Sequence, residues 1–217
     1  MLRDYDPSSP TSACTRVVDD VHRLLLGRKV VGWHCTRLTA DEATDILENG
    51  LRALSYQHTR KRLSERVAAG ELSNSEATFL LRRVERRAED EWRGGRIWAV
   101  LSRDALDDER GLENSFRYWG GEVLLALDDW TSEALARIGS SCIVEFQTLA
   151  DGVRCSHLGQ CFVERFLRDE LGRSDGDSGD LCLTGSVSAS DIRRVIRRTD
   201  PDFERLTECS RWDRPLE

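Results

Sequence analysis

The sequence predicts an α+β fold, a sheet of mixed or antiparallel strands with helices at the N-terminal end and an inserted helical hairpin. Helical periodicity dominates the first half, and short runs rich in β-formers dominate from residue 97. The two textures do not alternate as a doubly wound sheet requires. With 217 residues, 39% of them hydrophobic, the chain is long enough for one core without staples. The expected organisation is a loose tail over residues 1–12 and a single domain over 13–217, with a helical insertion at 58–96.

Val17/Val18, Val21 and Leu24/Leu25 recur at helical spacing and give a first amphipathic helix. Lys29-Val-Val-Gly-Trp-His34 reads as a strand, in which Gly32 marks a close approach. Thr39-x-x-Glu42 is a capping box opening a helix with Ala43, Ile46 and Leu47 as its buried stripe. Gly50 stands where a left-handed C-terminal cap is wanted. Helical patterns over 58–69 and 75–93, split by Gly70-Glu-Leu-Ser-Asn74, form the hairpin. That segment holds ten Arg or Lys and seven Asp or Glu, a net +3 within a chain of net −7. Its basic residues read as a solvated face ahead of a nucleic-acid arm.

Beyond it, Ile97–Leu101, Glu122–Leu127, Cys142–Phe146 and Leu181–Val187 read as strands. Helices are expected at 131–138 and 157–171, with Asp191–Ile196 as a last short helix. Gly172–Asp180 is a loop without the terminal Glu of a calcium-binding EF-hand.

Composition excludes several classes. No apolar run approaches the roughly 20 residues of a membrane span, and the first residues lack the apolar core of a signal peptide. A soluble, cytoplasmic protein without a membrane partner is expected. Of the 32 cationic residues only Lys29 and Lys61 are lysines, which by itself names no partner. Seven cysteines without regular spacing are expected to be reduced thiols. Cys155-x-His157-x3-Cys161 could hold zinc only with a fourth ligand such as Cys142 or Cys182, and its spacing matches no common module, so no metal is expected. Phosphate-loop, dinucleotide, zinc-protease and serine-hydrolase signatures are absent.

Gly32-Trp-His-Cys-Thr-Arg37, running into the capped helix and then Gly50-Leu51, resembles the opening of ADP-ribosyltransferase-like domains and of the related RNA 2′-phosphotransferases. The resemblance spans about twenty residues. It implies the split sheet of that superfamily and NAD as the bound substrate. His34 would then bond the adenosine-side ribose, and the adjacent backbone at Cys35 and Thr36 would hold the nicotinamide amide. A macromolecular acceptor, protein or nucleic acid, is implied as well, and members are often bacterial toxins or effectors.

The remaining candidates follow from residue chemistry read beside that resemblance. In Phe116-Arg-Tyr-Trp-Gly-Gly-Glu122, aromatics before paired glycines can set a ring against a flat ligand. The resemblance makes Tyr118 the residue to stack on nicotinamide; the alternative is a turn with Tyr118 and Trp119 in the core. Cleaving the glycosidic bond of NAD develops positive charge at the ribose, which a fixed carboxylate stabilises. Glu122 ranks first for that role, Asp180 second and Glu145, alone in an apolar strand, third. Arg37 could meet the NAD diphosphate or pair with Asp41 or Glu42, with Arg52 and Arg60 as further arginines. The expected function is NAD-dependent ADP-ribosyl transfer. The alternatives are an RNA 2′-phosphotransferase, marked by arginines converging on a phosphate pocket, and a non-catalytic interaction protein on the same fold.

Overall fold

The computed structural model describes residues 10–88, 94–124, 129–153, 158–171 and 179–216. In chain order the elements are α1 (Pro10–Leu25), β1 (Lys29–Leu38), α2 (Ala40–Asn49), α3 (Tyr56–Ala68), α4 (Asn74–Ala88), β2 (Arg96–Val100), α5 (Glu109–Arg117) and α6 (Gly121–Leu124). They continue with α7 (Asp129–Arg137), β3 (Ser140–Leu149), α8 (Leu158–Leu171), β4 (Asp180–Thr184), β5 (Ile192–Arg197) and α9 (Pro201–Thr207). The fold is α+β around a five-stranded sheet of order β4-β2-β1-β3-β5. Every strand pairing in it is antiparallel, so the sheet is not mixed.

The centre of the sheet is strongly laddered. β1 and β3 pair without a break from Lys29↔Leu149 to Leu38↔Ser140. Gly32 lies opposite Phe146, and a Cβ there would come within 2.9 Å of the Phe146 ring, so the glycine makes room for an aromatic side chain. Between β1 and β2 only Trp33↔Val100 is in register. The strands part beyond that pair, and the sheet divides into a β4–β2 portion and a β1–β3–β5 portion.

Alternation along the strands sends side chains to two cores. Val30, Leu38, Val144, Phe146 and Leu181 pack with Ala43 and Ile46 of α2 on one side. Trp33, Cys35, Ile143 and Ile196 pack with Leu112 and Phe116 of α5 and Phe203 and Leu206 of α9 on the other. A third cluster joins the hairpin to α6 and α7 through Leu63, Leu80, Val84, Trp119, Leu124, Leu135 and Ile138. The described part of the hairpin is therefore docked through Leu63, Leu80 and Val84.

Two predicted elements change type. Residues 122–127 read as a strand, but Gly121–Leu124 is a helical turn that follows Gly120 and Gly121, both at positive φ (78° and 53°). Residues 125–127 lie outside the described part. A short apolar run fits a buried helical turn as well as a strand, and here the glycines bend the chain before a ladder can start. Asp191–Ile196 read as a helix, whereas Ile192–Arg197 is the edge strand β5, paired to β3 with a bulge at Glu145/Phe146. Ile192, Val195 and Ile196 repeat at helical spacing, but their β-branching suits the pleated edge that β3 offers. Gly50 does cap α2 at φ 87°, but with ψ 174°, so the backbone is extended there and not left-handed helical. Helix α1 begins at Pro10, further upstream than the periodicity indicated.

Candidate active site

A cleft of about 1030 Å³ opens where β1 and β2 part. Its walls come from β1 (His34, Cys35, Thr36), β2 (Trp98, Val100), α2 (Glu42, Asp45), α3 (His58, Arg62, Arg66) and the turn into α6 (Gly120, Gly121). Asp180, the first residue of β4, also lines it.

His34 bridges the parted strands. Its Nδ1–H donates to the Trp98 carbonyl at 2.7 Å, which leaves Nε2 with the ring's lone pair. Burial pushes the imidazole pKa down, the Trp98 carbonyl opposes this, and the charge of Arg62 lowers it further, so the ring is neutral at pH 7. Cys35 is buried, and burial raises its thiol pKa far above the ordinary value; it offers no thiolate nucleophile. Thr36 lines the cleft beside them.

Below the cleft, Glu42 ties three elements together. It accepts from the Thr39 amide at 2.9 Å, from Arg62 Nε–H at 2.7 Å and from Trp119 Nε1–H at 2.9 Å. The capping box legible in the sequence is therefore present, and its carboxylate also serves the hairpin. Burial raises the Glu42 pKa, but the Arg62 charge and these bonds outweigh it and hold the group ionised below the usual range. Arg62 stacks 4.5 Å above the Trp119 ring. His58, one turn before Arg62 on α3, is likewise held below its normal pKa, by burial first and then by Arg62 and Arg52.

The predicted residues divide into three groups. His34, Cys35, Thr36 and Asp180 line the cleft, as does Arg52, which pairs with Asp45 at 2.9 Å. Glu122 sits on the α6 turn between cleft-lining Gly121 and Val123; its side chain lies outside the description. Arg37, Tyr118, Glu145 and Arg60 are not among the lining residues. Arg37 donates instead to the backbone carbonyls of Ile138 (2.8 Å) and Phe116 (3.3 Å), with no pairing to Asp41 or Glu42. Tyr118 caps α5 and packs against the third cluster, and Trp119 is fully buried.

Glu145 is paired in register with Trp33, so the pleat directs it to the opposite side from His34. There it accepts from Trp33 Nε1–H (3.3 Å) and pairs with Arg193 (3.1 Å) and Arg194 (3.2 Å). The row Asp180–Val100–Trp33–Glu145–Arg194 crosses all five strands, so Asp180 is one pleat out of phase with His34 although both reach the cleft. Cys155 and His157 lie outside the described residues, and among those described no group of three or more His, Cys, Asp or Glu is placed to hold a metal.

Sequence reading missed Arg62, Arg66, His58 and Glu42 as cleft residues. The spacing His58-x3-Arg62-x3-Arg66 does place one stripe on one helix face, but only the packing of α3 against Glu42 and Trp119 makes that stripe a cleft wall. No protein-family model, curated protein or solved structure matches the chain.

Proposed function

We propose that the cleft binds NAD and that the protein transfers ADP-ribose to a macromolecular acceptor, as expected for an ADP-ribosyltransferase-like split-sheet domain. The observation that carries this reading is His34: a neutral imidazole pinned by the Trp98 carbonyl where the sheet divides, inside a cleft large enough for a dinucleotide. Fixed in that tautomer, Nε2 is an acceptor suited to a ribose hydroxyl. Trp98, lining the cleft and 38% exposed, offers the nicotinamide a ring that Tyr118 is not placed to give.

The developing charge on the ribose needs a carboxylate, and Glu122 and Asp180 are the two candidates borne by cleft walls. Nicotinamide leaves with the glycosidic electron pair, and the acceptor's nucleophile forms the new bond to the ribose carbon as it gives up its proton. The acceptor is a protein or a nucleic acid.

Release of nicotinamide from NAD, followed with and without whole-cell extract, tests the reading. His34→Ala should lower release at least 100-fold while the protein stays folded, and Glu122→Gln compared with Asp180→Asn should identify the acid. No NAD binding and no release by the wild-type protein would sink it. A second reading, RNA 2′-phosphotransfer, is favoured by Arg52, Arg62 and Arg66 meeting in the same cleft. It predicts activity on a 2′-phosphorylated RNA end.

A further inference from the structure

Helix α3 turns His58, Arg62 and Arg66 into the cleft at intervals of one helical turn. Each arginine is anchored on one edge. Arg62 donates through Nε to Glu42 at 2.7 Å, and Arg66, only 8% exposed, donates through Nη1 to Glu71 at 2.8 Å. Each also keeps a buried nitrogen, Nη2 of Arg62 and Nε of Arg66, that has no hydrogen-bond partner among the described residues.

A cation held in place with donors unmatched costs free energy until an acceptor arrives. Three of the cleft's carboxylates are already engaged. Both Glu42 oxygens accept bonds, Asp45 is paired with Arg52 at 2.9 Å, and Glu65 stands 3.7 Å from Lys61. Guanidinium donors match phosphate oxygens in geometry and charge. Side chains one helical turn apart have Cβ atoms about 5–6 Å from each other. Two linked phosphoryl groups, one at each guanidinium, suit that spacing better than a single phosphate.

We infer that Arg62 and Arg66 form an anion site for a diphosphate, so that the α3 wall of the cleft holds the diphosphate of a nucleotide. The nucleotide part rests on the NAD reading above; the anion part stands on α3 alone.

Isothermal titration of the full chain with pyrophosphate, inorganic phosphate, adenosine and ADP-ribose tests this. Pyrophosphate should bind more tightly than phosphate, and more weakly as salt rises. Arg66→Gln should weaken pyrophosphate and ADP-ribose by about 10- to 100-fold and leave adenosine unchanged. Arg62→Gln should act alike, but it also frees Glu42, so Arg66→Lys serves as the control: it keeps the charge, loses the fork and should bind at an intermediate level. A folded wild-type protein that ignores pyrophosphate, or equal binding by wild type and Arg66→Gln, overturns the site. So does binding of a 2′-phosphorylated oligoribonucleotide without binding of pyrophosphate or ADP-ribose. Pyrophosphate binding that is lost in Arg66→Gln, in a protein that neither binds nor cleaves NAD, upholds the site and removes only the NAD reading.

Discussion

At His34 and His58 the same burial that shapes the cleft makes stability depend on pH. Both imidazoles have folded pKa values below the unfolded value of 6.5. Between those values the unfolded chain binds more protons, so stability rises with pH across the window and is lost as pH falls through it. Urea unfolding should give a lower midpoint at pH 5 than at pH 7.5, and His34→Gln should narrow the difference; an unchanged difference in both His34→Gln and His58→Gln would refute the assignment. Glu145 behaves differently. Its partners are Trp33, Arg193 and Arg194, and it faces away from His34. Glu145→Gln should cost about 1–3 kcal/mol of stability, since the two arginines are partly solvated. Nicotinamide release per folded molecule should stay within about twofold of wild type, whereas a loss comparable to that of His34→Ala would make Glu145 part of the chemistry.

Among the elements, α2 shows how local signals and packing divide the task of specifying structure. Its start is written in Thr39 and Glu42, and its end in Gly50, which no side chain can replace. A Cβ at Gly50 would lie 2.1 Å from the Val187 carbonyl oxygen, at a φ of 87°. That close approach lets Leu51 and Val187 exchange both backbone hydrogen bonds (3.0 and 2.8 Å). Gly50→Ala should therefore destabilise by about 3 kcal/mol or more in thermal or urea unfolding. The capping box, the separate strands β1 and β3 and the single helices of the hairpin were legible because each is encoded within a dozen or so residues; that β1 pairs with β3, more than 100 residues away, was not. β5 and α6 were not, since apolar spacing there fits two structures: the distant strand β3 selects one for β5, and Gly120 and Gly121 at positive φ select the other for α6. The same holds for the site. His34 stands out within a strand that leads into a capped helix, but Arg62 gains its role from Glu42 and Trp119, and Trp119 is 77 residues from Glu42 along the chain.

Across the whole molecule, Glu42 links the sheet-packed helix α2, the hairpin and the turn into α6, and so joins the first core to the third. Glu42→Ala should cost about 3–5 kcal/mol, because it strands Arg62 and the Trp119 N–H and also removes half of a cap. A double-mutant cycle with Arg62→Ala should recover at least 1 kcal/mol of coupling, and strict additivity would mean that the hairpin is held by its apolar contacts alone. The parting of β1 from β2 reaches further. Beyond Trp33↔Val100 the side of β1 that faces the cleft has no ladder to β2, so an edge that most folds hide is turned inward, where it cannot recruit another chain. On the proposed reading its amides and carbonyls would meet the bound guest directly. Recognition of that kind would belong to the peptide link and survive any side-chain replacement except proline, leaving His34 and the arginines to tune affinity while the main chain kept the shape of what is admitted.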